Sequence, residues 1–344
     1  MSTLVLRSRS GRVSLRVHRR VPVVLGALVI ALLVVAVAAL GTGSVGLSPG
    51  RVSATLLGQG TRAEEFVVLT LRLPRLLTGL LIGAALGVSG AIFQSLTRNP
   101  LGSPDVIGFS TGAATGAIVA IIVIGTGPLG VAAGAVLGGI GTALLVYGLA
   151  FRRGVEGFRL ILIGLGTTAM LAAFNAYLIS RAQLADAQAA QFWLTGSLNG
   201  RDGVDVATVA VGLAVLLPPL VPLARPLAML ESGDDAARAR GVAVEPVRLA
   251  LTVVGVALVA VATAVAGPIG FVALAAPQLA RRLARSPAPA LTGAALLGAL
   301  LLTTADLAVA RLSEDPLPVG VGTAAVGGLY LAWLLATERR RRAR

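Results

Sequence analysis

The chain has 344 residues, of which 56% are hydrophobic, and it contains no cysteine. This composition excludes an ordinary soluble domain, and it also excludes disulfides, thiolate metal sites and thiol nucleophiles. The 29 strongly basic residues are all arginines and give a net charge of +14. They lie between long uncharged blocks, which is typical of charges that orient membrane spans and not of nucleic-acid binding.

Eight blocks without Asp, Glu, Lys or Arg are each long enough to cross a bilayer, because about 20 residues of apolar helix span its hydrocarbon core. In chain order they are residues 21–40, 76–97, 106–151, 160–180, 206–224, 249–280, 286–305 and 316–337. The third block has room for two spans, and the Gly and Pro residues at 125–130 favour a tight turn in its middle. The pattern predicts an all-α, polytopic membrane protein.

The block at 249–280 is generous for one crossing and short for two, and a Gly-Pro-Ile-Gly sequence at 267–270 interrupts it. Arginine clusters precede it, up to Arg248, and follow it from Arg281. If both clusters are cytoplasmic, the chain between them must cross outward and return. Two crossings in each of the two long blocks give ten spans, with both termini and 22 of the 29 arginines on the cytoplasmic side.

This count predicts one transmembrane domain over 21–337, flanked by Arg-rich cytoplasmic tails at 1–20 and 338–344. The apolar core of the first span is longer than the roughly 7–15 residues of a signal peptide, so an uncleaved span is preferred to a cleaved signal. His18 is the only histidine, and its place in the first tail predicts a solvated side chain.

The chain lacks the motifs of an enzyme. A P-loop requires a lysine, and no Ser/His/Asp set, metal-ligand cluster or closely spaced carboxylate pair appears. We therefore expect no catalytic residue, cofactor or metal. The spans also lack the ionisable groups that coupled carriers bury. Only Asp306 lies near a span end, where we expect it to cap the helix or pair with Arg311. A transporter of this kind must receive its energy from another subunit.

The second span opens with the sequence Arg-Leu-Pro-Arg at 72–75, and three glycines follow at a spacing of four. Gly79, Gly83 and Gly87 therefore share one helix face, where a neighbouring backbone can approach closely. Ordinary tight packing and a special role are both compatible with this pattern.

Further motifs follow in order at 99–105, 108–113, 192–198, 233–242, 267–272 and 318–323. Together with the Arg-Leu-Pro-Arg start, they resemble the permease family of bacterial ABC importers for ferric siderophores, heme and cobalamin, the iron-chelate or FecCD-like permeases. The resemblance covers residues 72–323. One departure is Gln278, since such permeases commonly carry a His after the proline at this point.

The resemblance implies a type II ABC importer permease of about ten transmembrane helices in the bacterial inner (plasma) membrane. It implies a dimer with a second copy or a paralogue, two cytoplasmic ATPase subunits and an external substrate-binding protein. Membrane lipid would surround it, and no nucleic acid is expected. The motifs do not distinguish siderophore, heme and cobalamin as cargo. A secondary carrier or exporter without an ATPase partner is the alternative, and a non-transporting scaffold is a third class.

The longest internal loop, at 225–248, is predicted to hold a short helix. Ser232 or Asp234 can cap it, and Gly241 can end it. On physics alone an ordinary cytoplasmic loop remains open, whereas the resemblance implies a coupling helix that docks on the ATPase. The residues assigned to this contact are Gly233, Asp234, Asp235, Ala236, Arg238 and Gly241.

Three arginines lie near predicted outer ends of spans: Arg72, Arg75 and Arg311. In the resembling family, arginines at such positions pair with carboxylates of the binding protein, a task that suits the planar guanidinium. Snorkelling of the side chains to the lipid headgroups is the other interpretation.

Mildly polar residues within spans are candidates to line the transport path, although each could equally bond across helices. They are Gln94, Thr167, Thr168 and Asn175. Gly267, Pro268 and Gly270 predict a helix break. Within a membrane, such irregular backbone is tolerated only where protein or a water-filled cavity satisfies its polar groups. A gate-adjacent, re-entrant bend and a plain outer turn both fit.

Overall fold

The computed structural model describes residues 3–7, 14–18, 20–43, 45–151, 157–285, 291–312 and 317–342. The predicted span starts at 286 and 316 fall outside these ranges. The described chain is almost entirely helical, so the predicted fold class is confirmed. Two short strands, β1 (Thr3–Arg7) and β2 (Ser14–His18), pair antiparallel within the predicted N-terminal tail. The sequence pattern did not predict this pair.

The helices follow the predicted blocks. In chain order they are α1 (Arg20–Gly41), α2 (Pro49–Leu56), α3 (Arg62–Glu65), α4 (Leu73–Thr97), α5 (Phe109–Ile118), α6 (Pro128–Ala150), α7 (Gly157–Arg181), α8 (Leu184–Leu194), α9 (Gly203–Leu216), α10 (Leu220–Leu230), α11 (Asp234–Ala239), α12 (Val244–Ala266), α13 (Val272–Ala284), α14 (Leu291–Leu312) and α15 (Val319–Arg342). A π-helical turn, Phe66–Arg72, joins α3 to α4, and another, Val119–Ile124, extends α5. Because α15 continues to Arg342, the predicted C-terminal tail is largely helical.

Six of the described helices are long and apolar enough to cross a membrane. A seventh crossing is possible if α9 and α10, which meet at a 64° bend, form one broken span. The remaining predicted spans correspond to the shorter apolar helices Phe109–Ile124 and Val319–Tyr330, and to α13, which has only 13 residues. The predicted number of ten is therefore approximate, because several segments are too short for a full straight crossing.

Helix α4 lies at the centre of the bundle and packs on α9, α12, α13 and α14. Its glycines permit this contact. A Cβ added at Gly83 would lie 2.4 Å from the carbonyl oxygen of Gly298, and one at Gly87 would lie 2.1 Å from that of Ala294. Two helix backbones touch at these positions, which leaves no room for any side chain. The glycine spacing thus serves close packing of α4 on α14.

The bundle has two distinct polar ends. At one, which we call the α11 end, charged side chains from the end of α4, the 231–234 turn, α12 and α13 meet. At the other, the Arg75 end, Arg75 of α4 contacts Asp306 of α14. Arg248 and Arg281 both lie at the α11 end, so the chain between them does leave and return. It returns through a bend at 267–271 and the short helix α13.

Candidate functional site

The segment predicted to couple to an ATPase does contain a short helix, α11, at Asp234–Ala239. Its capping differs from the prediction, because neither Ser232 nor the Asp234 side chain caps it. The N-cap residue is Gly233, with φ +107°, and no side-chain cap is present. Gly241, with φ +81°, follows the helix and turns the chain toward α12. Both glycines occupy conformations that other residues adopt only with strain.

Asp234 does not cap α11 because its carboxylate is held by Arg248. The Arg248 Nη2 lies 2.8 Å from both carboxylate oxygens of Asp234, and its Nη1 lies 2.9 Å from Oε1 of Glu245. The Arg248 side chain is only 5% exposed, and Arg98 at the end of α4 approaches Asp234 at 3.7 Å. A buried guanidinium with two carboxylate partners is a costly arrangement to break. Asp234 therefore fastens α11 to α12 and α4.

The opposite face of α11 is free for a partner. Asp235 and Arg238 form an exposed ion pair across one turn, with 2.9 Å between Arg238 Nη1 and Asp235 Oδ1. Ala236 is half-buried, and Ala237 is buried and anchors the helix to the bundle. Thus Asp234 and Ala237 hold the helix, while Asp235 and Arg238 point away from the bundle.

A second polar cluster at the α11 end was not predicted. Glu231, between α10 and α11, accepts a hydrogen bond from Arg281 of α13 and a 2.6 Å bond from the Ser95 hydroxyl of α4. Arg281 Nη2 also donates to Ser95 Oγ at 2.9 Å. The partners are 50 or more positions apart along the chain, and this separation hides the cluster from pattern reading.

Gln94 lies beside this cluster. Its Nε2 donates to the carbonyl oxygen of Leu274 at 2.9 Å, and its Oε1 accepts from Gln278 Nε2 at 2.8 Å. Gln278, to which the sequence assigned no role, thereby ties α13 to α4. A cavity of about 610 Å³ opens next to these side chains. Its lining includes Gln94, Arg98, Glu231, Gln278 and Arg281.

The other three path candidates lie on α7, away from Gln94. Thr168 donates back to the carbonyl oxygen of Gly164 at 2.8 Å, and Thr167 beside it is half-buried. Asn175 is buried, and its Oδ1 has no hydrogen-bond partner. It lines a separate cavity of about 350 Å³ that Pro268 also lines. The structure therefore brings Asn175 and the predicted bend together and places Gln94 elsewhere.

The bend at Gly267, Pro268 and Gly270 lies inside the protein. Gly267 has φ +73°, and a Cβ there would lie 2.5 Å from the carbonyl oxygen of Trp193. The Ser197 amide donates to the Ala266 carbonyl at 2.8 Å, which fixes the bend against the 195–197 turn. A Cβ on Gly90, well along α4, would meet the Ala273 carbonyl oxygen at 1.7 Å. The start of α13 is thus packed against the interior of α4, which favours a re-entrant bend over a plain outer turn.

The three arginines expected on the outer face all bond within the chain. Arg75 holds Asp306, so Asp306 pairs with Arg75 and not with Arg311. Arg72 donates to the carbonyl oxygens of Leu40 at 2.7 Å and Val45 at 2.6 Å. Arg311 is exposed and reaches Thr42 Oγ1 at 3.1 Å. Arg72 and Arg75 also line a cavity of about 660 Å³ at this end.

Over nearly its whole length the chain is similar to known transport proteins. A profile of the FecCD transport family matches residues 30–337. The chain is 49% identical over 327 residues to the ferric enterobactin transport system permease protein FepG of Escherichia coli (strain K12), covering 95% of this chain and 99% of that protein. It is 37% identical over 309 residues to the probable siderophore transport system permease protein YfhA of Bacillus subtilis (strain 168), covering 87% and 90%.

Among solved structures, the fold is similar to that of a metal-chelate type ABC transporter in an inward-facing conformation. The TM-score is 0.82 at 30% sequence identity, and the match covers 92% of this chain and 99% of that one. The similarity therefore extends over nearly the whole described bundle.

Proposed function

We propose that this chain, which belongs to the FecCD transport family, carries a ferric siderophore across the bacterial inner membrane as the permease subunit of an ATP-driven importer. The observation that carries this proposal is the 49% identity, over almost the full length of both chains, to a ferric enterobactin permease. The family resemblance of the sequence is thereby confirmed. Heme and cobalamin are less favoured, since the two relatives reported above are named for ferric enterobactin and for a siderophore.

The geometry supports energy input from an ATPase at the α11 end. The exposed face of α11 carries Asp235 and Arg238, while Asp234 fastens the helix to α12. A partner that displaces α11 would therefore also displace α12 and the end of α4, because Asp234 binds both. Gly233, Ala236 and Gly241 complete the docking segment by setting where the helix starts, how closely a partner approaches and where the chain turns back.

We place the α11 end, and with it both termini, in the cytoplasm. The positive-inside tendency supports this orientation, because Arg98, Arg248 and Arg281 all belong to that end. The Arg75 end then faces outward and receives the binding protein. Arg311 is exposed and can pair with a carboxylate of that protein. Arg72 and Arg75 instead stabilise this end of the bundle, through their bonds to Leu40 and Asp306 respectively.

The transport path is proposed along α7. Only 11% of the residues in its most apolar stretch are buried within this chain, so its surface is available to lipid and to a second permease copy or a paralogue. Asn175 and Pro268 line the cavity beside it, and the bend at 267–270 is placed to act as a gate. Thr167 and Thr168 lie on the same helix, about two turns nearer the α11 end. A secondary carrier or exporter is not favoured, because family membership supplies an ATPase partner.

Reconstitution tests the proposal. The chain is assembled in liposomes with its ATPase subunits inside and a binding protein loaded with a radiolabelled ferric siderophore outside. We expect uptake that requires both ATP and the binding protein, and no hydrolysis by the permease alone. Uptake driven by a proton gradient without ATP would show a secondary carrier instead.

A further inference from the structure

Glu231 lies in the turn before α11 and faces α13. It pairs with Arg281, and the Ser95 hydroxyl of α4 bonds to both members. The side chains of Glu231 and Arg281 are 17% and 27% exposed, so solvent screens this pair only in part. Three separate elements therefore meet at a single charge pair.

Helix α13 is short and is held along its length. Gln278 bonds to Gln94 of α4, and Gln94 in turn bonds to the carbonyl oxygen of Leu274. At its start, α13 follows the interior bend, whose backbone is fixed against the 195–197 turn. The Arg281 end of α13 is thus beside the turn before α11, and its Val272 end follows the bend at 267–270 that is predicted to act as a gate. This helix is about 20 Å long and has Pro277 in its interior, and it is the direct covalent path by which a displacement of its Arg281 end can reach the bend at its start.

The end of α13 that carries Arg281 borders a cavity. Arg281 and Glu231 both border the cavity of about 610 Å³ at the α11 end. Close-packed interiors resist displacement, whereas side chains that border a cavity can shift without a clash.

We propose that the Glu231–Arg281 ion pair is the joint through which motion of the coupling segment reaches α13 and the bend at its start. The proposal rests on the proposed function and adds two positioning residues to it. When an ATPase moves α11, the attached turn carries Glu231, and the attraction between the two charges makes Arg281 follow. The bend beside Asn175 then shifts with α13.

The test uses the full complex in lipid nanodiscs, with ATPase subunits and loaded binding protein. Its readout is the ratio of ATP hydrolysis with and without the binding protein. Glu231→Arg and Arg281→Glu should each lower this ratio about fivefold or more, which is the range of typical coupling between sites. The double variant restores opposite charges in swapped positions and should recover much of the ratio. ATPase binding should be retained throughout.

Arg285→Glu is the matched control, because it makes the same charge change on an exposed residue just after α13. It should leave the ratio unchanged. Normal stimulation in either single variant would overturn the joint, and so would a double variant as impaired as the singles. If the wild-type complex itself shows no stimulation by the binding protein, the proposed function fails, and not the joint alone.

A cross-link covers the case in which reversed charges prevent assembly. The chain has no native cysteine, so Glu231→Cys with Arg281→Cys provides one reactive pair. This variant should lose stimulation when its thiols are free and regain it when a short bis-maleimide joins them. Equal stimulation before and after cross-linking would show that the link between these two positions is not needed.

Discussion

Arg75 and Asp306 join the start of α4 to the final turns of α14 through two parallel hydrogen bonds. Arg75 Nε lies 2.8 Å from Asp306 Oδ2, and Nη2 lies 2.7 Å from Oδ1. The two residues are 231 positions apart in the chain. This bidentate pair closes one end of the most extensive helix contact in the bundle, where Gly83 and Gly87 let the two backbones touch.

The pair should contribute measurably to stability. In a double-mutant cycle with Arg75→Ala and Asp306→Ala, we expect a coupling energy of about 1–2 kcal/mol, because both side chains are mostly buried and each would leave the other unpaired. Thermal unfolding in detergent gives the measurement. The control is the cycle on Arg51 and Glu64, where Arg51 is 49% exposed and the coupling should stay below about 1 kcal/mol. Equal coupling in the two cycles would contradict this ranking.

The glycine contact between α4 and α14 should tolerate no side chain. Gly87→Ala would drive a methyl group into the Ala294 carbonyl, and we expect a loss of about 1–3 kcal/mol together with a lower melting temperature. Gly141→Ala on α6 is the matched change, since Gly141 is exposed and nothing lies within 4 Å of the added carbon. Because alanine favours helix over glycine, that variant should be neutral or slightly more stable. A harmless Gly87→Ala would mean that the helices are farther apart.

The orientation can be checked by labelling single cysteines with a membrane-impermeant maleimide on intact cells. Arg62→Cys and Ala185→Cys should react from outside, whereas Arg240→Cys beside α11 should react only after the membrane is opened. The arginine distribution requires this result, and the native chain offers no competing thiol. External labelling at position 240 would invert the proposed topology.

The turn after α11 should be needed for coupling. Gly241 is exposed with φ +81°, so Gly241→Val places a β-branched residue in a left-handed conformation at a cost of about 1–2 kcal/mol. We expect loss of ATP hydrolysis stimulated by the binding protein, with insertion and binding-protein docking retained. Gly58→Val is the control, because Gly58 is also exposed with φ +74° and lies far from α11 in the sequence. Similar loss in both variants would point to general strain instead of a coupling role.

Features that depend on local pattern could be predicted from the amino-acid sequence. Uncharged blocks of about 20 residues identify membrane helices because the bilayer imposes a length and a polarity on every span. The run from Gly233 to Gly241 predicted a short helix because turn-forming residues bracket a helical stretch. Ordered motifs along the chain predicted the family, and the profile match at 30–337 confirms it.

Which side chains meet depends on how the helices pack, and local pattern did not predict it. Asp306 was expected to cap its helix or to pair with nearby Arg311, and it instead bonds Arg75. Asp234, which with Ser232 was one of two expected caps of α11, instead holds Arg248. The pairing of Glu231 with Arg281 was not predicted, although Arg281 had helped to orient the chain. Ion pairs form between elements that are neighbours in space, and helix packing sets those neighbours through contacts such as that of Gly87 with Ala294. The shortness of α13, which has 13 residues, also depends on tertiary structure. A bend inside the bundle leaves backbone polar groups unpaired, and only the surrounding helices can bond to them.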